Sequence, residues 1–456
     1  MSPHLMLPPI EGVPYGFRIM KKVRAHTTRT LPLRKTLKMD RITPTLAKAI
    51  IHKLAGYGTP PEFGVEYFSV GLDPYLRVIE DEYLNDVLKC NLSSFKLVTG
   101  NYGGGKTHFL YSVRNLAWKY NYVTSYVSLS ATECPFDRLE LVYKKIVSNI
   151  TSALSEEDIL KPWELGIDVL LRKWYQRVKE ERNFLSLVKN LESISYTNGI
   201  KGALMNLASD DEEGFTSLVQ WLKGEEIPRE LRLRYRISER IDRTTAFRML
   251  RSLIQFVNSI GYSGLILLFD EAERGMSIAS ARDKRRALDN LRQIIDECGN
   301  SRLPGAMFFY AVPDENLLLE GTGGVYEALN QRLRSSFTKV NPMGVKINLE
   351  EIGITPEDFL LSLSKKLAGI FESAYSFEFE PAVFDKSVKN MIDAILEMQI
   401  LDISYRRIFV VGIIDAFQKM RDKNIPIDKN TARQILRATA SMLLKKEKEE
   451  VEREEF

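Results

Sequence analysis

The chain has 456 residues, more than one hydrophobic core usually organises, so we expect two to four structural units. Hydrophobic residues make up 44% and charged residues 27% of it, as is typical of a globular protein that folds in water. The net charge of +4 permits a nucleic-acid partner without requiring one. Three widely spaced cysteines argue against a disulfide framework or a zinc site and favour the cytoplasm. No apolar run reaches the roughly 20 residues of a membrane span.

The first 40 residues are basic and rich in proline. Eight lysines and arginines precede Asp40, with few acids among them and poor helical periodicity. Two interpretations remain open for this arm. It is either a flexible or loosely docked segment, or an arm that binds nucleic acid through phosphate contacts.

After the arm, helical and strand patterns alternate. Helical periodicity runs from Pro44 to Leu54 and ends at GYGTPP, and Asp73-Pro74 begins the next helix. Apolar strands and amphipathic helices then follow one another. We expect helices at 73–90, 106–120, 137–154, 243–260, 283–298 and 323–335, and strands at 94–100, 123–129, 264–271, 305–312 and 345–349.

This order of elements is that of a central parallel sheet flanked by helices. Charged helical sequence at 155–240 interrupts the alternation, and only helices are expected after Thr355. We therefore expect an α/β protein with three parts. They are the basic arm at 1–40, an α/β domain at 41–350 that contains the insertion, and an all-helical C-terminal lid domain at 351–456.

The turn between the first strand and its helix reads GNYGGGKT and fits the phosphate-binding loop (P-loop) G-x-x-x-x-G-K-[ST]. Residues without side chains let successive backbone N–H groups surround a phosphate, and the following helix adds the positive end of its dipole. Lys106 can reach the β- and γ-phosphates in a catalytic role, and Thr107 can ligate Mg²⁺. The pattern predicts a P-loop NTPase that binds ATP and Mg²⁺. The expected nucleotide-binding residues are Gly100, Asn101, Tyr102, Gly103, Gly104, Gly105, Lys106, Thr107 and His108.

A second motif, GLILLFDEAE, is an apolar strand that ends in acids. The carboxyl ends of parallel strands are where ligands bind, so Asp270 and Glu271 should face the P-loop. We expect Asp270 to support Mg²⁺ and Glu271 to activate the attacking water. For Glu273 the sequence leaves two roles open, a reserve base or a solvated surface acid.

Arginines in two further segments are candidates for contacts with the γ-phosphate. Arg332 and Arg334 follow the strand after the acidic motif, where ring-forming ATPases often present an arginine to a neighbouring subunit. Arg406 opens an apolar helix and could reach back to the phosphates from the lid. An ordinary surface role remains open for each of them. The strand at 305–312 ends without the Asn, Ser or Thr that would serve as a polar sensor.

Taken together, these residues resemble AAA+-like ATPases of the ASCE branch, and more narrowly the BrxD-type ATP-binding proteins of BREX phage-defence systems. The segments GTPPEFGVEYFSVGLDPYLRVIEDEYL, FKLVTGNYGGGKTHFLY and GLILLFDEAE carry the resemblance, which spans Asp40 to Leu349. It implies an ATPase that works with DNA-acting machinery. Double-stranded DNA, a helicase or another defence protein, and further copies of the chain are the implied partners. Analogy with origin-recognition-type ATPases places Phe68–Gly71 near the adenine. A simple approach to the next helix remains the alternative for this segment.

Two other functions compete with a DNA-associated ATPase. A signalling NTPase of the STAND kind would bind ATP to regulate protein assembly, turn over slowly and ignore nucleic acid. A small-molecule kinase is disfavoured because Glu271 after Asp270 suits the activation of water and because the chain is longer than such kinases need.

Overall fold

The computed structural model describes residues 42–154, 158, 164–278, 280–319, 324–398, 405–423 and 425–454. The basic arm at 1–40 lies outside these residues, so its two interpretations stay open.

A six-stranded sheet forms the centre of the molecule, in the order β3-β2-β4-β5-β1-β6. Every neighbouring pair is parallel except β2 and β3. β4 and β5 are buried along their whole length, as expected of strands covered on both faces by helices. The expected α/β, P-loop NTPase-like fold is confirmed. The strands are β1 Ser94–Thr99, β2 Val123–Ser128, β3 Ile150–Thr151, β4 Leu265–Asp270, β5 Ala306–Val312 and β6 Lys346–Asn348.

Helices connect and flank the strands. Those before and around the sheet are α1 Pro44–Tyr57, α2 Asp73–Val78, α3 Lys106–Lys119, α4 Leu139–Ser148, α5 Ile167–Val178, α6 Ile194–Ala208, α7 Glu212–Leu222, α8 Arg229–Arg234, α9 Ala246–Ser259, α10 Ala272–Gly275, α11 Ala281–Gly299, α12 Asn316–Leu319 and α13 Gly324–Leu333. The C-terminal helices are α14 Pro356–Tyr375, α15 Pro381–Glu397, α16 Tyr405–Lys423 and α17 Lys429–Glu454.

Two predicted helices differ from the observed ones. The helix predicted at 73–90 is α2 followed by a π-helix, Ile79–Val87. The helix predicted at 137–154 was wrong beyond Ser148, because the next residues form β3 and pair antiparallel with β2. The Asn149 side chain stabilises this change of direction by donating a hydrogen bond of 2.8 Å to the backbone of Tyr126.

The C-terminal helices share a hydrophobic core with α1. Ile50 and Leu54 on α1 are buried against the C-terminal helices, together with Leu367 and Phe417. The sequence grouped α1 with the α/β domain because the two are adjacent in the chain. None of the helices in the described part of the chain is long and apolar enough to cross a membrane.

Candidate functional site

The P-loop needs its glycines for separate physical reasons. Gly103 and Gly105 have left-handed backbones, with φ of 67° and 98°, which residues with a Cβ adopt at a cost. A Cβ on Gly104 would lie 2.6 Å from Oε1 of Glu350 and 2.8 Å from the carbonyl of Asn101. The loop backbone is therefore compatible with glycine and with little else.

Lys106 is the first residue of α3 and its side chain is buried in the loop. Its Nζ donates hydrogen bonds of 2.7 Å to the carbonyl of Gly100 and 3.2 Å to that of Asn101. Burial lowers the pKa of Lys106, and nearby carboxylates, of which Glu273 acts most strongly, oppose that shift. A flexible ammonium in the centre of the loop is well placed to exchange carbonyls for phosphate oxygens.

Thr107 and Asp270 meet directly across the site. The Thr107 hydroxyl donates a hydrogen bond of 2.6 Å to Oδ2 of Asp270, and the Tyr126 hydroxyl donates one of 2.7 Å to the same oxygen. Burial, followed by the Asp270 charge, raises the pKa of Tyr126 far above its usual range, so Tyr126 stays a donor. The P-loop and the acidic strand end are thus joined by a hydroxyl and a carboxylate.

These oxygen donors suit Mg²⁺, which usually takes one or two protein ligands and completes its shell with phosphates and waters. In the described ranges no group of three or more His, Cys, Asp or Glu residues is arranged to hold a metal ion. The donor set at Thr107 and Asp270 therefore fits an ion that binds together with nucleotide phosphates.

Glu271 sits on a strained turn at the carboxyl end of β4. Its φ of 51° is left-handed, which is unfavourable for a residue with a side chain and common at functional sites. The Ser128 hydroxyl donates a hydrogen bond of 2.7 Å to Oε2 of Glu271, and Nη1 of Arg274 lies 3.8 Å from that oxygen. The Glu271 side chain is still 42% exposed, so an incoming water could reach it.

Glu273 differs from Glu271 in its surroundings. Its carboxylate is half-buried, and one oxygen, Oε2, is shielded from solvent with no hydrogen-bond partner among the described residues. Burial raises the pKa of Glu273, while Lys106 and the Tyr102 hydroxyl lower it. A solvated surface acid is therefore the wrong description of Glu273.

Arg406 reaches the P-loop from α16. Its Nη1 donates a hydrogen bond of 2.7 Å to the carbonyl of Gly104, and its Nη2 lies 3.5 Å from Oε2 of Glu350. The other oxygen of Glu350 accepts a hydrogen bond of 3.1 Å from the backbone N–H of Asn101. Arg406 and Glu350 together connect the C-terminal helices to the loop. The first of these residues was a sequence candidate and the second was not.

Arg332 and Arg334 lie elsewhere. The guanidinium of Arg332 forms an ion pair with Asp296 on α11, at 2.5 and 3.2 Å. Arg334 is exposed and its Nε donates a hydrogen bond of 2.9 Å to Asn330. Within the described residues, neither arginine contacts the P-loop of its own chain.

His108 follows Thr107 on α3 but belongs to a more enclosed environment. Its Nε2 lies 2.6 Å from the Ser69 hydroxyl, and its ring packs edge-on against Phe68 at 4.9 Å. Burial, followed by the charge of Lys366, lowers the pKa of His108 to about 4. His108 is thus a neutral residue that touches the Phe68–Gly71 segment.

Three site residues were missed by sequence reasoning: Tyr126, Ser128 and Glu350. The first two lie at the carboxyl end of β2, where Ser128 is in register with Asp270. The sequence does show polar residues at the end of β2. They indicate a site only once β2 is known to lie next to β4.

One of the comparisons with known proteins found a match. The family model for the BREX system ATP-binding protein BrxC/D matches residues 42–425. The chain belongs to this family. The resemblance to BrxD-type proteins is confirmed, and the matched range includes the P-loop, the acidic strand end and Arg406. No curated protein and no solved structure matches the chain.

Proposed function

We propose that the chain hydrolyses ATP in a Mg²⁺-dependent reaction and uses the cycle as a switch or motor in DNA-acting defence machinery. The observation that carries this proposal is the 2.6 Å hydrogen bond between Thr107 and Asp270. It brings together a phosphate-binding loop and an acidic strand end with the two oxygen donors that Mg²⁺ prefers. Mg²⁺, when bound there, would neutralise charge that develops on the phosphates.

Each side chain of the site has a distinct role in this proposal. The loop backbone and Lys106 bind the phosphates, and Lys106 also stabilises the charge that grows on the γ-phosphate. Glu271 accepts a hydrogen bond from the attacking water and orients it. Ser128, at the end of β2, positions the Glu271 carboxylate by donating a hydrogen bond of 2.7 Å to its Oε2.

A switch requires that the nucleotide changes something beyond its own site. Arg406 offers such a link, because it contacts the Gly104 carbonyl from α16. A nucleotide phosphate at the loop would attract the same guanidinium and so alter how the C-terminal helices are held. We propose Arg406 as the lid arginine.

The signalling alternative keeps two specific observations in its favour. Arg332 is occupied by Asp296 of its own chain, and the end of β5 at Val312 has no polar sensor residue. Slow turnover without nucleic acid would follow from such a site. Turnover measured with and without double-stranded DNA separates the two functions, because only the DNA-associated ATPase should be stimulated.

The first prediction tests the proposed base. Glu271→Gln keeps the size and hydrogen bonding of the side chain but cannot accept a proton, so hydrolysis should fall by roughly 10²–10⁴ while Mg-ATP binding persists. Phosphate release and binding of a fluorescent ATP analogue measure the two effects.

Glu273→Gln is the matched control, since this acid lies two positions away and is half-buried. Its turnover should stay much closer to that of the unaltered chain. Normal turnover in Glu271→Gln with a collapse in Glu273→Gln would move the base to Glu273. Lys106→Ala should lose at least tenfold in ATP affinity or turnover, about 1.4 kcal/mol or more.

A further inference from the structure

A second polar cavity lies outside the site described above. It has a volume of about 550 Å³ and opens between the amino-terminal half of α9, the later part of α11 and the start of α4. None of the P-loop residues, Asp270 or Glu271 lines it. Four arginines face this cavity and only two carboxylates do, so the lining is positively charged.

Both carboxylates are bonded by the same arginine. Arg251 donates to Glu192 at 2.7 and 2.8 Å and to Glu297 at 2.8 and 3.0 Å. A second arginine of the lining, Arg248, is paired with Glu239. This network fixes the walls; with Glu239 included, the four arginines outnumber the carboxylates by one, which leaves a net positive charge to attract an anion.

Two arginines of the cavity are not used in this way. Arg243 precedes α9 and Arg302 follows α11, and both residues are exposed. Neither guanidinium has a carboxylate or hydrogen-bond partner in the part of the chain that the structure describes. A planar guanidinium without a partner is well suited to bind phosphate through two parallel hydrogen bonds.

Two other features favour an anion with an aromatic group attached. α9 begins at Ala246, so the positive end of its dipole points to this region. Phe247, half-buried on the first turn of α9, presents an aromatic side chain to the cavity. Stacking on such a ring is how proteins hold bases without reading their sequence.

We propose that this cavity binds a nucleotide unit, with its phosphate held by Arg243 and Arg302 and its base packed on Phe247. The volume is within the range of small-ligand pockets, about 300–1,000 Å³. The same chemistry is offered by a free mononucleotide and by one unit of a single-stranded nucleic acid. The site is separate from the proposed hydrolytic site, so its occupant can be tested while the P-loop is saturated.

The experiment uses the full chain with the P-loop saturated by Mg-ADP. Three probes are titrated: GMP and inorganic pyrophosphate by calorimetry, and fluorescein-labelled tetrathymidylate by anisotropy. Binding of GMP alone identifies a free nucleotide as the occupant, and binding of the tetranucleotide alone identifies a strand. For the strand, loss of both arginines should lower the salt slope by about 1.4, at about 0.7 per contact.

Arg243→Ala/Arg302→Ala should weaken each probe that binds by at least tenfold, with an unchanged melting temperature because neither side chain has a partner to lose. Arg240→Ala is the matched control. Arg240 lies three positions from Arg243, pairs on the surface with Glu226 at 3.2 Å and does not line the cavity. Phe247→Leu should weaken GMP but leave pyrophosphate unchanged. Absence of binding by all three probes, or equal affinity in the double variant, would overturn the proposal.

Discussion

Among single residues, His108 is one whose charge is set by its surroundings. It lies on α3 and contacts Ser69 and Phe68, and Lys366 adds a positive charge nearby. Its pKa of about 4 lies below the ordinary value of 6.5, so the folded protein holds the ring neutral. A neutral ring donates one hydrogen bond from one nitrogen and accepts one at the other. Because it carries no charge, it does not compete with Lys106 for phosphate.

This shift predicts how stability depends on pH. Between pH 6.5 and about 4 the unfolded chain binds a proton on His108 that the folded chain does not, so the free energy of unfolding should fall as the pH is lowered. The loss should be on the order of 1–3 kcal/mol. His108→Gln should reduce this pH dependence, as measured by urea unfolding at pH 7 and pH 5.

His52→Gln is a suitable control because His52 is exposed on α1. It should unfold with the same pH dependence as the unaltered chain. Equal pH dependence in His108→Gln and the unaltered chain would show that His108 protonates as readily in the folded state as in the unfolded one.

At the scale of elements, the Arg406 side chain connects α16 to the P-loop. Arg406→Ala should remove the hydrogen bond to Gly104 and the guanidinium beside Oε2 of Glu350, so we expect ATP turnover to fall by about tenfold, or about 1.4 kcal/mol. Arg406→Lys should recover only part of the loss, because an ammonium cannot span both partners.

Arg421→Ala provides the comparison, since Arg421 lies at the far end of the same helix and pairs with Asp422. Steady-state turnover and nucleotide affinity of the three variants separate a contact role from general damage to α16. Should Arg406→Ala and Arg421→Ala behave alike, the proposed lid role would be wrong.

A second connection joins β1 to the segment between α13 and β6. Lys96 is 1% exposed, and its Nζ donates hydrogen bonds of 2.6 Å to the Tyr83 hydroxyl, 2.6 Å to the Gly344 carbonyl and 3.3 Å to that of Pro342. The rings of Tyr83 and Phe337 lie 4.3 and 4.7 Å from the ammonium. All three N–H donors therefore have acceptors, although burial lowers the pKa of Lys96 to about 7.

Lys96→Met keeps most of the apolar stem but leaves the buried Gly344 carbonyl without this donor, while the Tyr83 hydroxyl still donates a hydrogen bond of 2.6 Å to the Pro342 carbonyl. The free energy of unfolding should fall by about 1–3 kcal/mol, as measured by chemical denaturation. Lys89→Met, at an exposed site that bonds Asn85, should be within about 0.5 kcal/mol of the unaltered chain. Equal stability of the two variants would mean that the buried acceptors find other donors.

The element scale also explains which site residues the sequence could predict. Lys106, Thr107, Asp270 and Glu271 were found because each lies in a short motif whose strand and turn are encoded locally. Ser128 was not, since its relevance depends on the pairing of β2 with β4, whose residues are far away in the sequence. Glu350 and Tyr126 depend on tertiary packing in the same way.

For the whole molecule, the open question is whether Arg332 and Arg334 act on a neighbouring copy. Arg332 would have to leave Asp296, whereas Arg334 is already exposed. An arginine supplied from another subunit can increase turnover by about 10³–10⁵. If the protein assembles into oligomers, Arg332→Ala/Arg334→Ala should therefore abolish most turnover, although the P-loop of this double variant is intact.

Mixing two inactive forms tests this prediction directly. Lys106→Ala subunits keep both arginines, so adding them in excess to the double variant should partly restore hydrolysis. Asn330→Ala is the control, because it only releases Arg334 from its hydrogen bond to the Asn330 side chain and keeps both arginines. No restoration, together with a monomeric mass in ATP, would leave a solitary switch.

The placement of α1 was the largest feature that the sequence did not predict. Its apolar face indicated a buried helix, but periodicity does not reveal which distant element covers that face. The covering helices are α14 and α16, which begin at Pro356 and Tyr405.

This arrangement has a consequence for synthesis of the chain on the ribosome. The partner helices of α1 begin about 300 residues after α1 ends at Tyr57, a separation that takes roughly 15–60 s to translate. Ile50 and Leu54 therefore stay uncovered for most of the chain's production, a period in which exposed apolar faces attract chaperones or other nascent chains. A polypeptide released before α14 would keep its P-loop motif yet lack the cover for α1, so premature termination should yield aggregating fragments rather than a smaller working ATPase.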